Sequence, residues 1–291
     1  MRIPASNSDA RLRSNTPSAR EIHGFDLSRR RSRSKLFLSV LLSGLLLPPQ
    51  AFGARCEAGS GNARTALLEL YSSEGCNSCP PADAWLSTLQ AKGLAPMRIV
   101  PLAFHVDYWD NLGWRDPFAN AQFTARQHAA AERTRAEFVY TPQFLFNGQV
   151  FRPSDRDDAL RASLTSIARA PTPVSIHITH EKIAGRTLKL RANASWTDTP
   201  VASSQLFVAL FESKLQSSVR AGENNGRRLQ HDYIVRSFAG PFDVTAADPL
   251  PIDLTLALDN QWTQANVGVA AFIQRKDSGE VLQAMATPLC N

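Results

Sequence analysis

Cys76 and Cys79 stand with two residues between them, and this spacing carries the most readable chemistry in the chain. A thiolate is the attacking species in disulfide exchange. A second cysteine three positions on can turn back and close an internal disulfide. The apolar run Leu67–Tyr71 leads into Ser72-Ser73-Glu74-Gly75, and Pro80-Pro81 opens a segment with Ala82, Trp85, Leu86 and Leu89 at helical spacing. The two prolines suit only a first helical turn, where missing N–H groups cost little. This places Ser78 or Cys79 at the N-cap. Unpaired N–H groups at a helix start favour thiolate over thiol. Which of the two sulfurs feels this field more strongly stays open at this point; the working expectation is that Cys76 attacks and Cys79 resolves. Glu74 works against this, because a nearby negative charge raises a thiol pKa.

Strand, Cys-x-x-Cys and helix in succession make the local layout of a thioredoxin-like redox site. Met97–Val106 reads as a buried parallel strand. A right-handed crossover brings the cysteines and the loop from His105 to Asp116 to one sheet edge. There His105 and Asp107 form a candidate proton relay, and Trp109 and Trp114 candidate walls of a substrate groove. The plainer readings are a hydrogen-bonded histidine ending a strand, loop-capping carboxylates, and indoles that cover the sheet edge. Thr141 and Pro142 open the next strand and offer backbone to an extended peptide. Asn147-Gly148 between apolar runs predicts a hairpin. Helices are expected over Ala82–Lys92, Pro117–Ala136 and Asp155–Arg169.

The chain has 32 Lys+Arg and 26 Asp+Glu, a formal charge of +6. Nine of the basic and three of the acidic residues lie in positions 1–54, so the rest is balanced. Nothing here points to nucleic acid as a partner. The basic run Arg29–Lys35 before the apolar run Leu36–Leu47 reads as an export leader over 1–54. That run has twelve residues, short of the roughly 20 needed for a membrane span. The expected location is periplasmic or secreted, with no stable span after cleavage. Disulfides persist there. Four cysteines allow three pairings. The reading favours Cys76–Cys79, with Cys56–Cys290 as a structural bridge between the mature termini.

After Ala170-Pro171-Thr172-Pro173 the apolar period becomes two, at Val174, Ile176 and Ile178 and again at Leu188, Leu190 and Ala192. Leu206–Phe211 and Val267–Ile273 read as buried strands. The expected fold class is an α/β thioredoxin-like domain over 55–170 followed by an all-β, sandwich-like domain over 174–291. His177 and His180 are expected on the solvated side of a strand. The segment from Gly222 to Asp232 has two readings, a solvated hairpin loop or a cover folded back over the active edge.

Four blocks carry a resemblance to a family: Glu74–Asp83; Phe104–Asp110 with Gly113–Phe118; Val139–Gln143; and Gly222–Arg227 with His231-Asp232. The chain resembles the secreted, thioredoxin-like family catalogued as domain of unknown function 1223. The resemblance implies a thioredoxin-like domain before a β-rich one, with a cis-proline at Pro142 beside the cysteines, and supplies no reaction. The function expected from the residues is an exported thiol–disulfide oxidoreductase. It would act on cysteine-containing envelope proteins, with a redox partner and no cofactor. Two alternatives stay open. One is a Cu(I)-binding protein using Cys76, Cys79 and His105, since soft thiolates suit Cu(I). The other is a non-catalytic binding module.

Overall fold

The computed structural model describes residues 55–152, 157–183, 185–197, 203–244 and 251–290, and the expected leader lies outside these. In chain order the strands and helices are β1 (Arg55–Gly59), β2 (Ala66–Ser72), α1 (Pro80–Ala91), β3 (Ile99–His105), α2 (Ala121–Thr134), β4 (Gln143–Phe146), β5 (Gln149–Phe151) and α3 (Asp157–Arg169). They continue as β6 (Val174–Ile183), β7 (Thr187–Trp196), β8 (Ser204–Glu212), β9 (Leu215–Ser218), β10 (Arg228–His231), β11 (Ile234–Val244), β12 (Ile252–Ala257), β13 (Val267–Arg275) and β14 (Val281–Pro288).

β2 is buried along all seven residues because both of its faces are covered. Leu68 and Leu70 pack on Leu86 and Leu89 of α1 and on Leu160 and Leu164 of α3. Leu67 and Tyr71 point the other way, toward Phe123 of α2. β2 pairs in parallel with β3 and antiparallel with β4. The β4–β5 hairpin turns at Asn147 (φ 49°) and Gly148 (φ 82°), the two positive dihedrals such a tight turn needs. A Cβ at Gly148 would also lie 2.0 Å from the Gly279 carbonyl oxygen.

The fold class departs from the expected one. The chain is predominantly β, with three α-helices among the described residues. It does not divide into an α/β thioredoxin-like domain and a separate sandwich. One eight-stranded sheet runs β14-β13-β8-β11-β3-β2-β4-β5 and draws on both halves of the chain. The junction is the parallel pairing of Ile234 in β11 with Ala103 in β3. The physical reason lies in β8 and β13, which are apolar at nearly every position. In β8, Leu206, Val208 and Leu210 face one core while Phe207 and Ala209 face another. A strand of a simple two-sheet sandwich has one dry face; these have two.

A second sheet, β1-β6-β7-β12, packs on the Leu206–Leu210 side of the large sheet. β1, which has no strong period in the sequence, pairs antiparallel with β6 and sets Cys56 opposite His180. A disulfide joins Cys56 to Cys290 across 234 positions, with Cα atoms 6.0 Å apart. His180 is buried, against expectation, and its Nε2 accepts the Cys290 N–H. Its parity explains this, since 174, 176, 178 and 180 share one face of β6. His177, of opposite parity, meets Glu57 near solvent. Among the described residues no helix is long and apolar enough to cross a membrane.

Candidate functional site

The loop between β2 and α1 carries Cys76 and Cys79, joined as a disulfide with Cα atoms 5.5 Å apart. Backbone turns set this spacing: Cys76 N–H donates to Ser73 O and Cys79 N–H to Cys76 O, both at 3.2 Å. Gly75 passes close to Trp109, whose Cβ would lie 3.1 Å from a Cβ at that position. Cys79 is the N-cap of α1 and Pro80 and Pro81 follow. The prolines have no N–H, and those of Ala82 and Asp83 turn back to Cys79 O at 2.9 and 3.1 Å. The helix dipole therefore acts on the sulfurs without a direct N–H donor. The polar neighbour of Cys76 Sγ is the Ser78 hydroxyl at 3.4 Å.

Both sulfurs are sealed, with Cys76 1% and Cys79 0% exposed. The cover comes from the far half of the chain, from the turn between β9 and β10. Asn224 Nδ2 donates to Glu74 O at 2.8 Å and to Cys76 O at 2.9 Å. Asn77 N–H donates to Glu223 Oε2 at 3.0 Å. The Gly222–Asp232 segment is thus the cover over the cysteine edge rather than a free hairpin. Asn77 and Ser78, between the cysteines, remain exposed.

Behind the disulfide lies a buried ionisable cluster. His105 ends β3, and its Nδ1 meets Asp116 Oδ2 at 2.6 Å. Asp116 also accepts the Glu74 N–H at 2.8 Å, which ties the two loops of the sheet edge together. His231, from β10, meets Glu74 Oε1 through Nε2 at 3.1 Å. Glu74 further accepts from Trp114 Nε1 at 2.8 Å and from the Ser217 hydroxyl. Asp83, in the first turn of α1, accepts from the Ser72 hydroxyl at 3.1 Å. Glu74, Asp83, Asp116 and the two histidines are each 5% exposed or less. Burial works to lower the His105 pKa, but the charge and hydrogen bond of Asp116, with the charges of Asp83 and Glu74, together outweigh it and raise the value to about 9. Burial works to raise Asp116, and its charge and hydrogen-bond contacts with His105 hold it below the usual range. Burial dominates at Asp83, whose pKa is raised.

The sequence-predicted residues are placed unequally. Trp109 Nε1 donates to Thr141 Oγ1 at 2.8 Å, so the indole links the cysteine loop to the half-buried Thr141-Pro142 peptide, which is cis. Trp114 serves Glu74. The His105–Asp107 relay does not form: His105 is engaged by Asp116, and Asp107 Oδ1 accepts from the Thr124 hydroxyl at 2.6 Å. The Cu(I) set of Cys76, Cys79 and His105 is not the one assembled. Among the described residues the donor atoms that converge with His105 belong to Asp83 and His231. Asp83, Asp116 and Asn224 went unrecognised as site residues. For Asp83 and Asp116 the available signal is their place beside the two cysteine-proximal loops, Asp83 four positions after Cys79 and Asp116 at the end of the loop that follows His105, whereas Asn224 carries no such local signal.

The family described as "Protein of unknown function (DUF1223)" matches over residues 67–274. Among solved structures, protein AGR_C_4864 from Agrobacterium tumefaciens is 25% identical with a TM-score of 0.53, over 79% of this chain and 96% of that one. HBP35 of Porphyromonas gingivalis is 12% identical with a TM-score of 0.61, over 79% and 76%. A domain of the outer membrane lipoprotein Omp28 of the same organism is 15% identical over 41% and 89%, with a TM-score of 0.28, too low to support inference. No curated protein matches the chain.

Proposed function

Because the chain belongs to the family described as protein of unknown function (DUF1223), which brings no reaction with it, we propose from the site itself an exported thiol–disulfide oxidoreductase acting on protein cysteines through Cys76 and Cys79. The supporting observation is the disulfide between two cysteines three positions apart, closed over a helix start on the edge where the β2 and β3 loops meet. Export is supported by the basic-then-apolar leader and by Cys56–Cys290, a long-range bridge suited to an oxidising compartment.

In the reductive direction the Cys76 thiolate attacks a sulfur of a partner's disulfide and expels that partner's other sulfur as a thiolate. Cys79 then attacks Cys76 Sγ, closes the internal disulfide and releases the partner's second thiolate. Two electrons pass to the partner, whose two sulfurs take up protons. Run backwards, the same steps oxidise a dithiol. Because both sulfurs are buried, either direction begins with the turn carrying Glu223 and Asn224 lifting away. The exposed Asn77-Ser78 edge is then the place of first contact.

The test is a Cys79→Ser variant produced in a cell with an intact envelope, followed by non-reducing electrophoresis and mass spectrometry. Covalent adducts through Cys76 that dissolve on reduction are the expected result. A folded variant that forms none, alongside a Cys76→Ser control with the same profile, counts against the reading.

A further inference from the structure

We propose that Asp83, His105 and His231 form a binding site for a divalent first-row cation such as Zn²⁺, sealed behind the disulfide and independent of its sulfurs. The three come from different elements: the first turn of α1, the end of β3 and β10. Their donor atoms lie within 4.8 Å of one another, and His231 Nδ1 is 3.9 Å from Asp83 Oδ2.

The arrangement of the two imidazoles carries the inference. Each uses one ring nitrogen on a carboxylate, His105 Nδ1 on Asp116 and His231 Nε2 on Glu74. Carboxylate behind histidine is the pattern by which metal-binding imidazoles are oriented. The opposite nitrogens, His105 Nε2 and His231 Nδ1, are both buried and neither has a hydrogen-bond partner. An unpaired buried polar atom is uncommon and calls for an explanation. Here two such atoms share one space with the Asp83 carboxyl group, and a cation that enters it displaces any proton held there and takes a lone pair from each nitrogen.

The chemistry of the donor set fits. Two imidazoles and a carboxylate suit Zn²⁺ and its first-row neighbours. Zinc bonds of about 2.0–2.1 Å in a tetrahedron put ligand atoms roughly 3.3 Å apart, so donors now at up to 4.8 Å close on the ion by small side-chain shifts. Charge favours it too. Glu74, Asp83 and Asp116 crowd three carboxyl groups into one sealed region, and buried charge has to be paired. Three protein donors leave a fourth tetrahedral position, as in open rather than closed zinc sites.

The experiment uses the untagged full chain in its oxidised form, shown to be free of titratable thiol so that no thiolate competes. After chelator treatment the protein is titrated with Co²⁺ and then Zn²⁺. A single equivalent of Co²⁺ per chain, with tetrahedral absorption bands that Zn²⁺ abolishes, is the expected result. Asp83→Asn keeps the size of the side chain and a partner for Ser72. It should weaken binding by more than the roughly ten- to hundredfold that outer-shell changes cost, with an unchanged circular dichroism spectrum. Should that variant misfold, X-ray absorption of the Zn²⁺-loaded wild type decides, with nitrogen and oxygen neighbours expected and no sulfur. Absence of stoichiometric binding by the folded wild type, equal binding by folded Asp83→Asn, or a sulfur neighbour overturns the site. Failure of disulfide exchange leaves it untouched, because the sulfurs are not ligands.

Discussion

Asn224 donates its side-chain amide to the carbonyl of Cys76 at 2.9 Å, from 148 positions further along the chain. The same amide reaches Glu74 O at 2.8 Å, and the residue is fully buried. One side chain thus latches the cover over the disulfide. Asn224→Ala removes both bonds and leaves two buried carbonyls without that partner, a cost of about 1–3 kcal/mol. At about 1.4 kcal/mol per tenfold, the open population should rise roughly five- to 150-fold. The rate at which a small thiol reductant opens Cys76–Cys79 should rise by a similar factor, with the overall spectrum unchanged. An unaltered rate in a folded variant would show that the turn does not gate the sulfurs.

The two disulfides should differ sharply in what they do for stability. Cys56–Cys290 spans 234 positions and restrains the unfolded chain, whereas Cys76–Cys79 closes a loop of three. Replacing Cys56 and Cys290 together with Ser should lower unfolding stability by about 2–5 kcal/mol. The matching change at Cys76 and Cys79 should cost clearly less. Urea denaturation of both double variants in the oxidised state checks the order, and a reversed order contradicts this account.

Local features were the legible part of the fold and the site. The buried β2 strand, the prolines that start α1 and the Asn147-Gly148 turn each declare themselves within a few residues. What was not legible is non-local. Pairing of Ile234 with Ala103 merges the two halves into one sheet, and no short-range pattern marks that contact. Only the two-faced apolar character of β8 and β13 hinted that both of their sides were covered. In the site, Asp107 lies nearer His105 in sequence than Asp116 does. A 3-10 turn at Asp110–Leu112 and the glycine after it swing the chain back and bring Asp116 to the imidazole. Asn224 is hidden in sequence by the turn pair Asn225-Gly226, which reads as solvated until the turn is seen to land on the cysteines.

Two buried phenols make stability fall at high pH. Burial raises the Tyr233 pKa to about 12, with Asp232 adding to it, and burial followed by Glu69 holds Tyr71 well above 10. In the unfolded chain both ionise near pH 10. Between that pH and the folded values the unfolded state binds fewer protons than the native one. Stability is therefore full below about pH 10 and declines as pH rises further. Denaturation midpoints from pH 8 to 11 (roughly the range bracketing the unfolded value) should show the decline. Tyr233→Phe should flatten it in part.

Arg126 and Glu69 form a buried ion pair at 2.6 Å on the α2 side of the large sheet. The guanidinium lies 4.9 Å from the Phe207 and Phe272 ring centres and 5.2 Å from that of Phe238. Removing one partner strands a buried charge. Arg126→Met should therefore cost about 3–5 kcal/mol. Removing both charges asks a different question, because each ion has given up its hydration to be here. Glu69→Leu with Arg126→Met should recover most of that loss or exceed wild-type stability, as replacement of buried pairs by apolar side chains often does. The limit on recovery is Tyr71, whose hydroxyl donates to Glu69 at 3.3 Å and would lose that acceptor. Adding Tyr71→Phe to the pair should restore the remainder. Equilibrium unfolding of the single, double and triple variants tests the sequence of effects, and a double variant no more stable than Arg126→Met alone refutes the desolvation argument.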